Sequence, residues 1–292
     1  MTTTITNGTA VVDPASGFSD VEFGVSAQGF PVARIGDSVL AMVPGRSGAT
    51  LAHAWREKRP LTELKREDFY CFETALADEA AFRTHVFETA EYKRELRQLN
   101  RKEINSDEYT RWGRSQHAKL YTEGIVRHYT SSHGGFVLSP ERNAQIHPML
   151  RDSGRSYEED CHWSAVALAF PRLFTSYEKK SAERCIKDHW PDAWEKIAGT
   201  VLGPGESHEK DRRAFAAAHA NDWVVISAIT SRHEKGFVEV VATPGGKREG
   251  VREERRFLVP AVEYEIGQFG FVIDVSRHRV YGGPSSFVGW NG

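Results

Sequence analysis

Two runs near the C terminus, residues 222–230 (DWVVISAIT) and 236–244 (GFVEVVATP), decide the fold class of this part of the chain. Both runs are rich in valine, isoleucine, threonine and aromatic residues, which strands favour. Gly245 and Gly246 follow the second run and mark a turn. Because residues 257–262 and 269–275 continue the pattern, the sequence predicts an antiparallel meander of about four strands.

The N-terminal part of the chain shows strand patterning as well. Residues 21–43 alternate apolar and polar side chains and are interrupted at Gly29 and Gly36, so they predict two or three short antiparallel strands. Residues 62–104 are rich in Glu, Lys, Leu and Ala, which predicts two or more helices. The predicted fold class is therefore α+β, with a β-rich N-terminal region (1–60), a helical segment (61–108) and an α+β domain (109–292) that contains a motif helix and ends in an antiparallel sheet.

The start of that motif helix is predicted from a local signal. Ser156 and Glu159 have the Ser-x-x-Glu spacing of a capping box, and apolar residues then recur at helical spacing until Pro171. A helix is therefore expected to begin at Ser156. Further helices are predicted at 178–189, from Pro191 onward and at 209–220, and short strands at 124–129 and 136–138.

Composition and charge exclude several classes of protein. The 292 residues contain 38 Lys and Arg against 40 Asp and Glu, a formal net charge of −2, which excludes a polybasic nucleic-acid coat. Direct contact with nucleic acid stays possible through a local patch, but the net charge does not support it. No apolar run reaches the ~18 residues of a membrane span, and the first residues do not resemble a secretory signal. With only three cysteines, the chain is expected in the cytoplasm, without a membrane partner.

Three segments carry a recognisable pattern. They are Trp112-Gly113, residues 130–143 (TSSHGGFVLSPERN) and residues 156–171 (SYEEDCHWSAVALAFP). In these segments the chain resembles an uncharacterised domain family of proteobacterial conjugative plasmids, prophages and related mobile elements. That resemblance implies a setting but no established chemistry. The chain departs from the family pattern at Ser132, where proline is usual, and at His162, where glutamate is usual, which puts any activity needing that acid in doubt.

Four residues of these segments are candidate catalytic groups. His133 precedes Gly134 and Gly135, which allow close approach of a ligand, so it could act as a general base or metal ligand, or hydrogen-bond a turn. Cys161 could be a nucleophile paired with His133, but the acids before it disfavour a thiolate, and the helical pattern favours a buried structural thiol. The other two candidates, Glu159 and Asp160, could with Glu158 ligate a cation or serve as acid and base, or simply complement a helix start.

Other candidates are binding residues. Asn143 and Trp163 belong to the motif, and Gly134 and Gly135 would line its pocket. Lys93 and Arg97 lie on a charged helix face that could dock an acidic partner or simply be solvated. Arg252 and Arg255 lie near a charged hairpin tip that could touch a phosphate backbone or be a solvated loop. Cys161, His162, Cys185 and His189 have no standard zinc-finger spacing, so neither a metal nor a cofactor is expected.

Two functions follow as hypotheses. The first is an accessory protein of a mobile genetic element that acts by binding a protein or nucleoprotein complex, as an anti-CRISPR or anti-restriction protein does. The alternative is a hydrolase or transferase with a site formed by His133, Glu159, Asp160 and Cys161. The alternative requires the His133 ring within hydrogen-bond reach of one of the other three side chains, in an open cleft.

Overall fold

The computed structural model describes residues 11–12, 20–45, 48–250 and 253–287. Among them are six α-helices and several antiparallel sheets, which make an α+β fold. Within these residues the chain divides into two compact units, before and after the bond between Arg184 and Cys185.

The first sheet of unit 1 is a six-stranded antiparallel meander in which sequence neighbours pair. Alternating apolar residues give it two buried faces. One face packs on helix α1 through Phe82, Val86 and Ala90, and the other packs on Leu61 and Leu64. Its strands are β1 (Val11–Val12), β2 (Val21–Val25), β3 (Pro31–Ile35), β4 (Ser38–Gly45), β5 (Gly48–Trp55) and β6 (Cys71–Leu76), and α1 is Glu79–Gln98.

The second sheet of unit 1 carries the motif segments. Its five antiparallel strands lie in the order β13-β12-β11-β10-β7, and a two-stranded ribbon, β8 with β9, accompanies it. Helix α2 follows β12, helix α3 follows β13, and helix α4 begins at Ser176. The elements are β7 (Lys102–Ile104), β8 (Tyr109–Thr110), β9 (Gly113–Arg114), β10 (His117–Thr122), β11 (Ile125–Tyr129), β12 (Gly134–Leu138), α2 (Pro140–Ala144), β13 (Ser156–Glu158), α3 (Trp163–Ala169) and α4 (Ser176–His189), whose last residues belong to unit 2.

Unit 2 contains two further helices and a four-stranded antiparallel sheet in chain order. Val240, Phe257 and Val259 lie in its hydrophobic core. The buried Glu239 carboxylate accepts hydrogen bonds from the Arg256 guanidinium, the Ser285 hydroxyl and the backbone N–H of Ser286. The elements are α5 (Pro191–Ala198), α6 (His208–Ala218), β14 (Trp223–Thr230), β15 (Phe237–Pro244), β16 (Arg255–Pro260) and β17 (Arg279–Val280). Gly199 ends α5 with a left-handed φ of 69°.

The prediction that a helix begins at Ser156 is wrong. Ser156–Glu158 form β13, which pairs with β12, and the helix begins at Trp163. Tyr157 decides this outcome, because its fully buried ring fills the core beside the strand and outweighs a local capping signal. The Ser156 hydroxyl donates to the carbonyl of Gly154 instead of capping a helix.

Two other predictions of secondary structure need correction. Residues 62–104 are not all helical, because Cys71–Leu76 form the edge strand β6 beside β5. Residues 269–275 are not a full strand either. They pair with the sheet through an isolated bridge between Val224 and Val272, and the fourth strand is Arg279–Val280.

Candidate functional site

The His-Gly-Gly segment forms a tight turn between β11 and β12. The Thr130 hydroxyl donates to the carbonyl of His133 at 2.7 Å and accepts from its backbone N–H at 3.3 Å. The His133 side chain is exposed, and in the described part of the chain the hydrogen bonds of this residue use only its backbone. The turn therefore fixes the backbone of His133 and leaves its imidazole available.

The two glycines of this segment are required by close packing. A Cβ on Gly135 would lie 2.3 Å from the carbonyl oxygen of Tyr157 and 2.6 Å from Cη2 of Trp112. A Cβ on Gly134 would lie 2.7 Å from the carbonyl oxygen of His128 and 2.9 Å from Oε2 of Glu159. Trp112 therefore packs on the backbone of β12, and Glu159 lies against the residue after His133.

Asn143 and Tyr157 tie another motif segment to the sheet. The Tyr157 hydroxyl donates to Oδ1 of Asn143 at 2.6 Å and accepts from the backbone N–H of Asp152. Nδ2 of Asn143 donates to the carbonyl of Asp152 at 3.0 Å. Both side chains are buried and hydrogen-bonded, so Asn143 holds the loop before β13 and is not an exposed binding residue.

Three side chains that carry potential metal-ligand atoms lie close together at the end of β13. The ligand atoms of His133, Glu158 and Asp160 lie within 4.8 Å of one another. Oε2 of Glu158 accepts from the backbone N–H groups of Asp160 and Cys161, at 2.8 and 3.4 Å. These bonds hold the Glu158 carboxylate on the turn that leads to α3. We call His133, Glu158 and Asp160 the imidazole–carboxylate cluster.

An aromatic pocket of about 320 Å³ opens on the same unit. Strands β10, β11 and β12 supply one side, and α3, α4 and the segment between them supply the other. We call this cavity the aromatic pocket. Its lining consists of Tyr121, Arg127, Phe136, Glu159, Trp163, Phe174, Tyr177, Glu178 and Ser181. Five of these nine residues are aromatic, so flat rings form much of the wall, and the other four are charged or polar groups that could orient a ligand.

Each of the two carboxylates that line the aromatic pocket lies beside an arginine. Nη2 of Arg127 lies 3.6 Å from Oε2 of Glu159, too far for a hydrogen bond. Glu178 makes a two-pronged ion pair with Arg101, whose guanidinium lies 4.1 Å from the ring centre of Tyr121. In the described part of the chain, the Glu159 carboxylate accepts no hydrogen bond from a side chain. Glu159 therefore retains acceptor capacity inside the pocket.

Burial shapes the chemistry of the pocket wall. It raises the pKa of the Tyr121 phenol above its usual value, and the nearby Arg101 only partly opposes this shift. Tyr121 therefore stays neutral and keeps its O–H proton at physiological pH. Its ring packs edge-on against Phe136 at 4.9 Å, which fixes the wall.

The structure separates the four predicted catalytic residues into different surroundings. His133 and Asp160 belong to the imidazole–carboxylate cluster, whereas Glu159 lines the aromatic pocket. Cys161 lies half-buried in the turn before α3, not within a helix, and its carbonyl accepts from the Ser164 hydroxyl. Trp163, predicted as a binding residue, is the first residue of α3 and lines the pocket beside Glu159.

The predicted basic binding residues lie elsewhere. Nζ of Lys93 donates to the carbonyl of Ile35 and to the Ser38 hydroxyl, so this lysine fastens α1 to the first sheet. Arg97 is exposed and pairs with Asp20 at 3.2 Å. In unit 2, Arg255 pairs with Glu253 and covers the ring of Trp223. Arg252 lies outside the described residues.

Most residues of the aromatic pocket were not predicted from the sequence. Tyr121 and Arg127 come from the hairpin β10–β11, of which only the second strand was predicted. Two strand-like runs flanking Glu123-Gly124 were the signal for this hairpin, because Gly124 has a φ of 77° and turns the chain. Phe174, Tyr177 and Glu178 surround the start of α4, and nothing in their local sequence marks them as neighbours of Tyr121.

Comparison with known proteins finds a family match over part of the chain. The model of a domain of unknown function (DUF7007) matches residues 105–220, which include the imidazole–carboxylate cluster and the aromatic pocket. No curated protein and no solved structure matches the chain. The match locates a domain around the candidate site without assigning chemistry to it.

No helix in the described ranges combines the length and apolarity that crossing a bilayer requires.

Proposed function

We propose that this protein acts by binding, and that the aromatic pocket is the contact through which it holds a protein or nucleoprotein partner. The observation that carries the proposal is an open pocket with Trp163 and Tyr177 in its lining. Tyr177 is 63% exposed, although aromatic side chains of this size are usually covered. Trp163 is half-buried in the same lining. Tryptophan and tyrosine are typical of the residues that dominate binding energy at interfaces.

The polar groups of the pocket support the same proposal. Glu159 offers unused acceptor capacity next to the donors of Arg127, and both are surrounded by aromatic faces. Such an arrangement suits a planar group that carries hydrogen-bond donors and acceptors on its edge. The partner contributes that group and fills the pocket with it.

The proposed setting is a mobile genetic element, in the cytoplasm of its bacterial host. The support is the resemblance of the Trp-Gly, His-Gly-Gly and Tyr-Glu-Glu-Asp-Cys segments to a family found on plasmids and prophages. In that setting we propose an accessory role in counter-defence, in which the protein occupies a component of CRISPR or restriction machinery. Occupying such a target needs a stable surface and no chemical step.

Co-elution on a sizing column tests this proposal. The purified protein is mixed with purified CRISPR effector and restriction complexes in separate runs, and one of them is expected to carry the protein into its peak. The Trp163→Ala and Tyr177→Ala variants should lose co-elution, whereas Tyr70→Ala, which removes another exposed tyrosine away from the pocket, should retain it. Absence of co-elution with every complex, or equal binding by the pocket variants, overturns the proposal.

The second candidate function is a hydrolase or transferase with a site at His133, Glu159, Asp160 and Cys161. The observation in its favour is that the His133 imidazole lies near the carboxylates of Glu158 and Asp160 on an exposed turn. Turnover of ester, thioester or phosphate substrates that disappears in His133→Ala would establish this candidate. Turnover that persists in His133→Ala would eliminate it.

A further inference from the structure

The imidazole–carboxylate cluster contains two carboxylates and no lysine or arginine. Among the described residues, the carboxylates of Glu158 and Asp160 form no ion pair with a basic side chain. Two neighbouring carboxylates without a counter-charge repel one another. A bound cation would remove this repulsion.

The hydrogen bonds of the cluster are also incomplete. Oε1 of Glu158 is shielded from solvent and has no hydrogen-bond partner among the described residues, whereas Oε2 is held by two backbone N–H groups. A buried carboxylate oxygen without a partner is costly. The Asp160 carboxylate and the His133 ring are exposed and have no hydrogen-bond partner within that part of the chain, so both are accessible to a ligand.

The backbone holds the three residues together before any ligand arrives. Glu158 pairs with Gly135 in the β12–β13 ladder, and the backbone N–H of Glu159 donates to the carbonyl of Gly134 at 3.1 Å. Thr130 fixes the backbone of His133 from the other side. Because the cluster is built on paired strands and a hydrogen-bonded turn, its donors are positioned with little loss of conformational freedom on binding.

We propose that His133, Glu158 and Asp160 bind one divalent transition-metal ion. One imidazole nitrogen and two carboxylate oxygens suit such an ion, whereas a site for Ca²⁺ or Mg²⁺ would use oxygen ligands alone. The two carboxylates balance the charge of the ion. Three protein ligands leave coordination positions open to water or to a group from a partner. The sequence analysis considered His133 as a metal ligand and Glu158 and Asp160 as cation ligands, each beside other roles, but it did not combine the three residues into one site.

Titration of the purified protein with Mn²⁺ tests this site. Mn²⁺ is chosen because the two carboxylates suit it, whereas thiolates favour softer ions, so the cysteines do not compete. Electron paramagnetic resonance measures the free ion, and we expect the protein to remove one equivalent. His133→Ala, Asp160→Asn and Glu158→Gln should each weaken binding at least roughly tenfold, as expected for loss of a ligand.

Two controls make the titration decisive. His233→Ala removes an exposed histidine outside the cluster and should bind Mn²⁺ as the unchanged protein does. Circular dichroism of each variant shows that it is folded, and His133→Ala should fold because its side chain is exposed. Failure of the unchanged protein to bind Mn²⁺ overturns the proposal. Equal affinity of His133→Ala and the unchanged protein also overturns it, because the acids alone would then account for binding. Neither result depends on the partner proposed for the aromatic pocket.

Discussion

The indole of Trp112 packs on the backbone of Gly135 so closely that a Cβ at Gly135 would lie 2.6 Å from Cη2 of the ring. These two residues join the ribbon β8–β9 to strand β12, which carries the His-Gly-Gly turn. Trp112 and Gly135, which both belong to the motif segments, therefore pack against each other. Strand β12 begins at Gly134, directly after His133, so this contact lies next to the His-Gly-Gly turn.

Gly135→Ala is expected to destabilise the protein. The new methyl group would meet a carbonyl oxygen at 2.3 Å and the Trp112 ring at 2.6 Å, so backbone or ring must move. Overpacking of this kind costs about 1–3 kcal/mol, measured as the free energy of unfolding in urea. Gly282→Ala is the control, because its Cβ meets open space, and it should change stability by less than about 0.5 kcal/mol. Equal stability of the two variants would contradict the packing described.

Tyr157→Phe is expected to destabilise the protein through its hydrogen bonds. Removing the hydroxyl leaves Oδ1 of the buried Asn143 without its donor and the backbone N–H of Asp152 without its acceptor. An unsatisfied buried group costs about 1–3 kcal/mol. Denaturant unfolding measures the loss, and Tyr109→Phe, which changes a tyrosine that is 83% exposed, should have no measurable effect. A Tyr157→Phe variant as stable as the control would show that the Asn143 bond contributes nothing.

Glu239→Gln tests the buried ion pair of unit 2. Glu239 is fully buried and lies 2.9 Å from Arg256, so the substitution removes a carboxylate charge from beside a buried guanidinium. Breaking such a pair costs about 3–5 kcal/mol. The matched control is Glu253→Gln, which removes the partner of Arg255 at the surface and should cost less than about 1 kcal/mol. Thermal unfolding followed by calorimetry compares the two, and similar losses would refute the burial of the pair.

His128 is expected to make the stability of the protein depend on pH. Burial lowers the pKa of its imidazole below the usual value, and Glu108, 3.6 Å away, only partly opposes the shift. The unfolded chain therefore binds a proton at a higher pH than the folded chain does, and stability falls as the pH drops below about 6.5. Urea midpoints at pH 7 and pH 5 measure the effect. The loss should be smaller in His128→Asn than in the unchanged protein, and His233→Asn, an exposed control, should leave it unaltered.

Elements whose local pattern agrees with their packing were predicted from the sequence. The run around Phe237–Pro244 is a strand, and the helix predicted from Pro191 onward does begin there. It ends at Ala198, before the left-handed Gly199, and so is shorter than the sequence pattern, which continued to Gly203. Ser156 shows the opposite case. Its capping-box spacing is real, but the buried ring of Tyr157 and the pairing with β12 outweigh it.

The candidate site was only partly accessible from the sequence, for the same physical reason. His133, Glu159 and Trp163 were found because they lie in motif segments, whereas Tyr121 and Phe174 come together only through the packing of distant elements. Local patterns report which face of an element is apolar, but they do not report which other element covers it. The pocket exists because α4 begins beside β10, and no residue spacing encodes that arrangement.

The affinity of Trp163→Ala for the partner tests the central claim most directly. The measurement is a titration, followed by calorimetry, of a defence complex that co-elutes with the unchanged protein, and Tyr70→Ala serves as the control. If the aromatic pocket holds the partner, Trp163→Ala loses at least about 2 kcal/mol of binding free energy, as interface anchors do, and Tyr70→Ala loses none. Equal affinities of Trp163→Ala and Tyr70→Ala would contradict the account.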